Sequence, residues 1–579
     1  MNKTLLRLPF ILEIILNGLF VLHFSLERLG KWPAYLENSL FDLLFNNILF
    51  IAPIIVGLSL VTHIKQSYDL DDFFRKYIFS MIIFVSMIIT WGDIEFCYWL
   101  SVVHLFSTIL TLSDHTSDEK KPISVLSEQW IWNLKSLLKL QPAQIVILSF
   151  GLIILIGTVL LMLPISAPAG KAITWVDALF MSTSATCVTG LASISMVDDL
   201  SLFGQLVILG LIQVGGLGIM TLSSSLIMFL GRSLGVKEQV VMQDVLDSSN
   251  SEELLTLIID IVKFTLFIET IGAIILTYGF IQEGFETGQA LYLGFYHSIS
   301  AFCNAGLALF NNNLEDFYGS PWINLPIAFL IIFGGLGFSV IKELNQLISK
   351  KKKIINLTVH SKVVLSMTLM LIALGTLYIF FGEFLHATES MSLSEKIQVA
   401  FFQSVTTRTA GFNTINLNNF HAHTIYLIIL LMAIGASPGS TGGGVKTTTF
   451  AILLQSVKAT LNNQNKVVLF NRTVPDITVV RAISLFIISL MFVSFVVLVM
   501  LRVETGKEFL PIFFEVVSAF GTVGLSLGIT PLLSVAGKII IVFMMFLGRV
   551  GPLTLVLAVG QRAEQKGKVD YPDGKILIG

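Results

Sequence analysis

The strongest constraint on the fold is a pattern that repeats four times after Ala143. A long apolar run is followed by a half-length one, then by a polar tip containing glycine, then by a second long run. The tips read SATCVTGL, SAFCNAGL, TTRTAGFN and AFGTVGLS, and their aligned glycines are Gly190, Gly306, Gly411 and Gly524. A second glycine (Gly215, Gly334, Gly435 or Gly548) follows each tip by 24 to 28 residues. About 20 apolar residues in a helix cross a bilayer, so a half-length run such as Thr174 to Thr186 cannot. It must enter, turn at the tip and return. Non-helical backbone at that depth is tolerated only inside protein or beside water. Four such loops on one axis would turn backbone carbonyls inward and hold a dehydrated cation without a carboxylate. Glycine at each tip permits the positive φ this requires.

Composition agrees with a membrane setting. Of 579 residues, 54% are hydrophobic and only 13% charged, too few charges to clothe a soluble surface. This excludes a water-soluble enzyme, a nucleic-acid binder and a disordered scaffold, and the net charge of −2 offers nothing to a polyanion. Open sheets are not tolerated in lipid, so the expected class is an all-α polytopic membrane protein with four fused helix–pore loop–helix repeats around one pore. Four further candidate spans (5–24, 40–62, 77–91 and 96–112) precede the repeats, and the first reads as a retained helix because no small-residue cleavage site follows it. The expected divisions are an amino-terminal transmembrane bundle over 1–112, a polar linker over 113–140, pore repeats over 141–230, 231–349, 350–457 and 458–562, and a cytoplasmic tail over 563–579. The tip sides carry five Lys and Arg and the connecting sides sixteen, so the tips are expected outside and the connectors in the cytoplasm. Acidic residues of the outer loops (Asp198, Asp199, Glu283, Glu315 and Asp316) either concentrate cations or are simply solvated.

The fourfold pattern with one glycine per tip resembles the Trk/Ktr/HKT potassium transporter superfamily, and most closely its Ktr/Trk membrane subunit. The run GASPGSTGGGVKTTT (Gly435–Thr449) is similar to the intramembrane loop of that family's third repeat, and GRVGPLT (Gly548–Thr554) to its fourth-repeat signature. The likeness covers roughly residues 141–562. It implies K⁺ as the ion carried, with Na⁺ as a further or coupled ion and no organic cofactor bound by this chain. It also implies a homodimer in the lipid of the cell membrane and a separate cytoplasmic nucleotide-binding regulator of the RCK/KTN type. In the plant branch a serine at the first tip accompanies Na⁺ preference, so Gly190 points to K⁺.

The candidate ion-binding residues are Thr186, Cys187, Val188, Thr189 and Gly190 in the first tip, and Cys303, Asn304, Ala305 and Gly306 in the second. Thr409, Ala410 and Gly411 serve in the third, and Thr522, Val523 and Gly524 in the fourth. The candidate gate is Gly435, Ser437, Gly439, Ser440, Thr441, Gly442, Gly443, Lys446 and Arg549. Five glycines and Pro438 between 435 and 444 would cost a continuous helix about 8 kcal/mol, so the helix should break there. Ser437, Ser440 and Thr441 would offer hydroxyls to the pore, and Arg549, read near the middle of the last span, would set an electrostatic barrier. Arg408 would hold the filter backbone by donating to carbonyls, Glu269 would hydrogen-bond a neighbouring repeat, and His297 would be packed. No catalytic set appears: HExxH is missing, and no His/Asp cluster gathers in one loop. The function expected is K⁺ uptake, not an enzyme reaction. The alternatives are a Na⁺-selective or unselective cation pathway, or a membrane receptor or enzyme built on Glu13, Asp42, Asp93 and Glu95 of the amino-terminal bundle.

Overall fold

In the computed structural model, residues 142–229, 251–349 and 357–551 are described. The expected amino-terminal bundle, the linker, the basic run Lys350–Lys353 and the tail lie outside them. The described residues are mostly helical. A first stretch holds α1 (Pro142–Met162), the short α2 (Trp175–Thr186) and α3 (Leu202–Phe229). A second holds α4 (Ser251–Gln282), the short α5 (Thr287–Phe302), α6 (Pro321–Leu336) and α7 (Phe338–Ser349). A third holds α8 (Val359–Glu383), the short α9 (Leu393–Thr406), α10 (Ala422–Ala433) and α11 (Thr447–Leu461). The last holds α12 (Asp476–Val503), the short α13 (Phe509–Gly521) and α14 (Val535–Val550).

Two of the four short helices, α2 and α9, start at side-chain caps. Thr174 accepts from the Asp177 amide at 3.2 Å, and Ser392 forms a reciprocal capping box with Glu395. Among the described residues α8 and α12 are long and apolar enough to cross a membrane unbroken, and α12 leaves Phe486, Leu490, Met491 and Phe495 exposed, as a lipid-facing helix does. One feature departs from an all-helical reading. The connector after α11 carries a two-residue hairpin, β1 (Val468–Leu469) and β2 (Arg472–Thr473). Its turn residues Phe470 and Asn471 have φ of 47° and 60°, both positive as the tight turns of two-residue hairpins require.

The second long helix of each stretch is interrupted or ends early. Hydropathy predicts a continuous span in the first, second and fourth stretches, whereas the break in the third is the one its glycines predict. Gly218 is non-helical inside α3, and α6 meets α7 across Gly337 (φ +91°) at a 103° bend. α14 ends before Gly551 (φ +88°), and α10 and α11 are separated by residues 434–446. Three of the breaks fall at the fourth glycine-register position of GGLG, GGLG and GRVG. The stretches interlock in chain order: α3 packs on α5, α6 on α9, α10 on α13, and α14 back on α2. Lys538 of α14 also donates to Asp177 of α2 at 2.7 Å, with both side chains largely buried, tying the last stretch to the first.

Candidate functional site: a ring of four tips

The tip glycines meet in one ring. A Cβ built on Gly190 would lie 2.6 Å from the Ala305 carbonyl oxygen, 3.2 Å from the Gly524 Cα and 3.3 Å from the Gly306 Cα. On Gly306 it would strike the Ala410 carbonyl, on Gly411 the Val523 carbonyl at 2.7 Å, and on Gly524 the Thr189 carbonyl. The carbonyl just before each glycine therefore stands against the next glycine round the ring. No side chain fits there, and the four glycines have φ of +98°, +65°, +78° and +91°, values that favour glycine. The other tip candidates, Thr186, Cys187, Val188, Cys303, Asn304, Thr409 and Thr522, are likewise buried in this region.

Each short helix points its carboxyl end at the ring. The helix dipole places partial negative charge there, which favours a cation. In the first, second and fourth tips the helix closes with paired backbone bonds. Thr189 N–H donates to Ser184 O and Val188 N–H to Ala185 O, and the same pattern joins Ala305 and Asn304 to Ser300 and Ala301, and Val523 and Thr522 to Ser518 and Ala519. This closure needs a left-handed residue, normally glycine. Here it is Val188, Asn304 and Thr522, with φ of 55°, 61° and 50°. A β-branched residue held in that region costs on the order of 1–2 kcal/mol, strain that the surrounding packing must sustain.

Serines brace the tips. The Gly190 and Gly524 amides donate to Ser184 Oγ and Ser518 Oγ, each at 3.1 Å. Ser300 Oγ, at the matching place, donates instead to Leu307 O at 2.9 Å, and Thr406 Oγ1 donates to Phe412 O at 2.6 Å. A second set ties the short helices to the first long helices. Ser182, Ser298 and Ser404 donate to the carbonyls of Ile154, Glu269 and Ile372, each beside a glycine (Gly157, Gly272, Gly375) that lets the helices touch. The fourth stretch has Val516 where a matching serine would stand. Ser184→Ala would leave the buried Gly190 amide without its acceptor, a loss of about 1–3 kcal/mol. The expected result is a lower thermal midpoint in detergent and a weakened preference between K⁺ and Na⁺ in flux assays.

Beneath the ring lies the chain from Gly435 to Lys446. The registered second glycines have one purpose in three stretches: Gly215, Gly334 and Gly548 pack against the carbonyls of Thr186, Phe302 and Phe520, each four residues before its tip glycine. In the third, Gly435 faces Gly443 O instead, and the inserted loop fills the space. The loop is bound on several sides. Ser437 N–H donates to Gly335 O at 3.1 Å, Thr441 N–H to Gly334 O at 3.2 Å, Phe338 N–H to Gly439 O at 3.0 Å, and Gly444 N–H to Gly548 O at 3.2 Å. Gly443 N–H donates to Thr522 Oγ1 at 3.0 Å, linking loop to tip, while Gly442 packs against Thr409. Lys446 Nζ donates to Gly442 O at 2.7 Å. Arg549 is buried and donates to the carbonyls of Thr441 and Gly215.

Three sequence expectations change. The loop hydroxyls turn to protein: Ser440 donates to Ser437 O at 2.6 Å, Thr447 donates to Ser437 Oγ at 3.1 Å, and Thr441 Oγ1 lies 3.5 Å from Phe302 O. Arg549 sits at the end of a helical segment, because Gly551 breaks the helix two residues later. Arg408 is buried, but its Nη1 and Nη2 find no acceptor among the described residues, so these groups do not brace the tip carbonyls. Its neighbours are Ile331, Ile332, Gly335, Thr368 and Val405. Glu269 accepts from Gln213 Nε2 of α3 at 3.3 Å and lies 3.8 Å from Cys303 Sγ, bridging two stretches at the second tip. His297 is fully packed, with Nδ1 2.8 Å from Leu293 O and Nε2 accepting from Leu309 N–H at 3.3 Å. The loops beside the tips are stitched together: Asn311 donates to Asp198 at 2.9 Å and Asn413 to Glu315 at 2.7 Å. A hydrogen bond from Lys171 at 2.7 Å holds the Asp199 carboxyl below its ordinary pKa.

A ring of backbone carbonyls, served by four helix carboxyl ends and walled by membrane-length apolar helices, defines a membrane cation transport protein. Comparison with known proteins agrees. The family model described as TrkH, cation transport protein, matches residues 132–570. The Ktr system potassium uptake protein B of Bacillus subtilis is 40% identical over 441 residues, covering 76% of this chain and 97% of that protein. Its counterpart in Vibrio alginolyticus is 37% identical, covering 75% and 94%, and the potassium/sodium uptake protein NtpJ of Enterococcus hirae is 35% identical, covering 76% and 98%. The crystal structure of the potassium transporter TrkH from Vibrio parahaemolyticus shares the fold, with a TM-score of 0.56 at 18% identity over 89% of this chain and 98% of that one. The chain belongs to the TrkH family of cation transport proteins, which carry ions and are not enzymes.

Proposed function

We propose that this protein takes up K⁺ across the cytoplasmic membrane, through a selectivity filter built from its four tips and gated by residues 435–446. The observation that carries this reading is the ring in which each tip glycine abuts the carbonyl of its neighbour. Carbonyl dipoles replace the hydration shell of a monovalent cation, and the helix carboxyl ends add a favourable field. The relatives named as potassium uptake proteins support K⁺ as the ion, and the potassium/sodium uptake protein supports Na⁺ as a companion or coupled ion. In this reading 141–230, 231–349, 350–457 and 458–562 are four pore repeats, joined to an amino-terminal transmembrane bundle. The tips face outside, the basic connectors face the cytoplasm, and two copies associate. A separate cytoplasmic nucleotide-binding ring moves the loop. A bacterial strain lacking its own K⁺ uptake should regain growth at low external K⁺ when it makes this chain together with its regulator. Failure to grow, with the chain present in the membrane, would count against K⁺ uptake.

A further inference from the structure

On the same side of the fold as the tips, the end of α8 and the start of α10 bring together three side chains that ion conduction does not use. Glu383, His386 and His421 each offer a ligand atom, and these atoms lie within 4.8 Å of one another. Glu383 is completely buried, whereas His386 and His421 are exposed. Among the described residues Glu383 makes no ion pair with Lys or Arg; its nearest basic side chain is His386, whose Nδ1 is 3.2 Å from Glu383 Oε2. Nearby Lys396 is otherwise engaged, donating to Phe384 O at 2.7 Å and lying 4.0 Å over the Phe384 ring. A buried carboxylate without Lys or Arg calls for another cation.

The geometry around it suits a metal ion. The His421 amide donates to Glu383 Oε1 at 3.0 Å, fixing the carboxylate while leaving Oε2 toward the imidazoles. The rings of His386 and His421 stack with centroids 3.7 Å apart, beside a recess lined by Phe380, Phe384, Leu385 and Leu393. His423 packs edge-on against His421, with centroids 5.3 Å apart, but its Nδ1 is turned to Thr424 Oγ1 at 3.2 Å. Two imidazoles and one carboxylate are the donors a borderline divalent ion prefers, and an exposed fourth position is left to water.

We propose that Glu383, His386 and His421 form a binding site for a divalent transition-metal ion of the Zn²⁺ type. Bound metal would clamp the end of α8 to the start of α10, the helix that runs on into the loop beneath the ring. The probe is Zn²⁺, titrated calorimetrically into the purified full-length chain in detergent. One ion per chain at micromolar concentration is expected, with a raised thermal midpoint and no comparable effect of Mg²⁺, which prefers all-oxygen sites. His386→Ala and His421→Ala should each weaken binding by about tenfold or more, and His360→Ala should not. Because Glu383→Gln risks misfolding, the visible spectrum of Co²⁺ bound to the unmutated chain gives a separate reading, with an imidazole-ligated band expected and lost on adding Zn²⁺. Absence of stoichiometric Zn²⁺ binding, or binding unchanged in both histidine variants, would overturn the site.

Discussion

Gly190→Ser is expected to lower the K⁺ over Na⁺ permeability ratio by about tenfold or more, the equivalent of roughly 1.4 kcal/mol of discrimination. At φ +98° a serine is strained, and its Cβ would stand 2.6 Å from the Ala305 carbonyl. Either that carbonyl moves out of the ring or the first tip retreats, and both alter the spacing of the oxygens that replace water. Gly524→Ser should act in the same direction, since its Cβ would strike the Thr189 carbonyl. Gly151→Ser is the control: it lies in α1, and an added Cβ meets nothing within 4 Å. Reversal potentials under bi-ionic conditions give the ratio. A ratio in Gly190→Ser matching that of Gly151→Ser would remove the first tip from the filter.

Deleting Gly439–Gly443 is expected to raise K⁺ flux about tenfold or more. The segment includes the Thr441 carbonyl that takes up Arg549, the Gly439 carbonyl that accepts from Phe338, and the Gly443 amide that donates to Thr522. Without it the space beneath the ring opens and Arg549 keeps only its bond to Gly215. Arg549→Gln should raise flux less, because the backbone bonds to Gly334, Gly335 and Gly548 still hold the loop. Radioactive Rb⁺ uptake into proteoliposomes measures both. Flux that stays low in a folded deletion variant would show that the loop is not the barrier.

Much of this site is legible in the sequence because lipid limits what a half-length apolar run can do. The Thr174 to Thr186 run, the tip glycines and the break at Gly435 all followed from length and from the cost of glycine in a helix. The second glycines were visible as a register, but their purpose was not: only the structure shows Gly215, Gly334 and Gly548 against carbonyls of the short helices. The breaks at Gly218, Gly337 and Gly551 escaped because hydropathy averages over GGLG and GRVG without registering backbone angles. Val188 and Thr522 escaped for the opposite reason, since β-branched residues are poor candidates for positive φ and take it here only because the helix closure demands it. Aligning the tips on their glycines would have revealed Ser182 and Ser298, the serines eight residues upstream in the first two. Glu383 and His386 have a Glu-x-x-His spacing, but His421 is far from them in sequence, and only the fold unites the end of one helix with the start of another.

The most direct test of the central claim is the flux of K⁺ against Na⁺ through the loop-deleted chain in liposomes that contain no other protein. A closed gate cannot then mask the filter. The account predicts K⁺ flux exceeding Na⁺ flux by about tenfold or more, with the preference lost when Gly190→Ser is added. Equal K⁺ and Na⁺ flux, or a preference that survives Gly190→Ser, would contradict a filter made by the four tips.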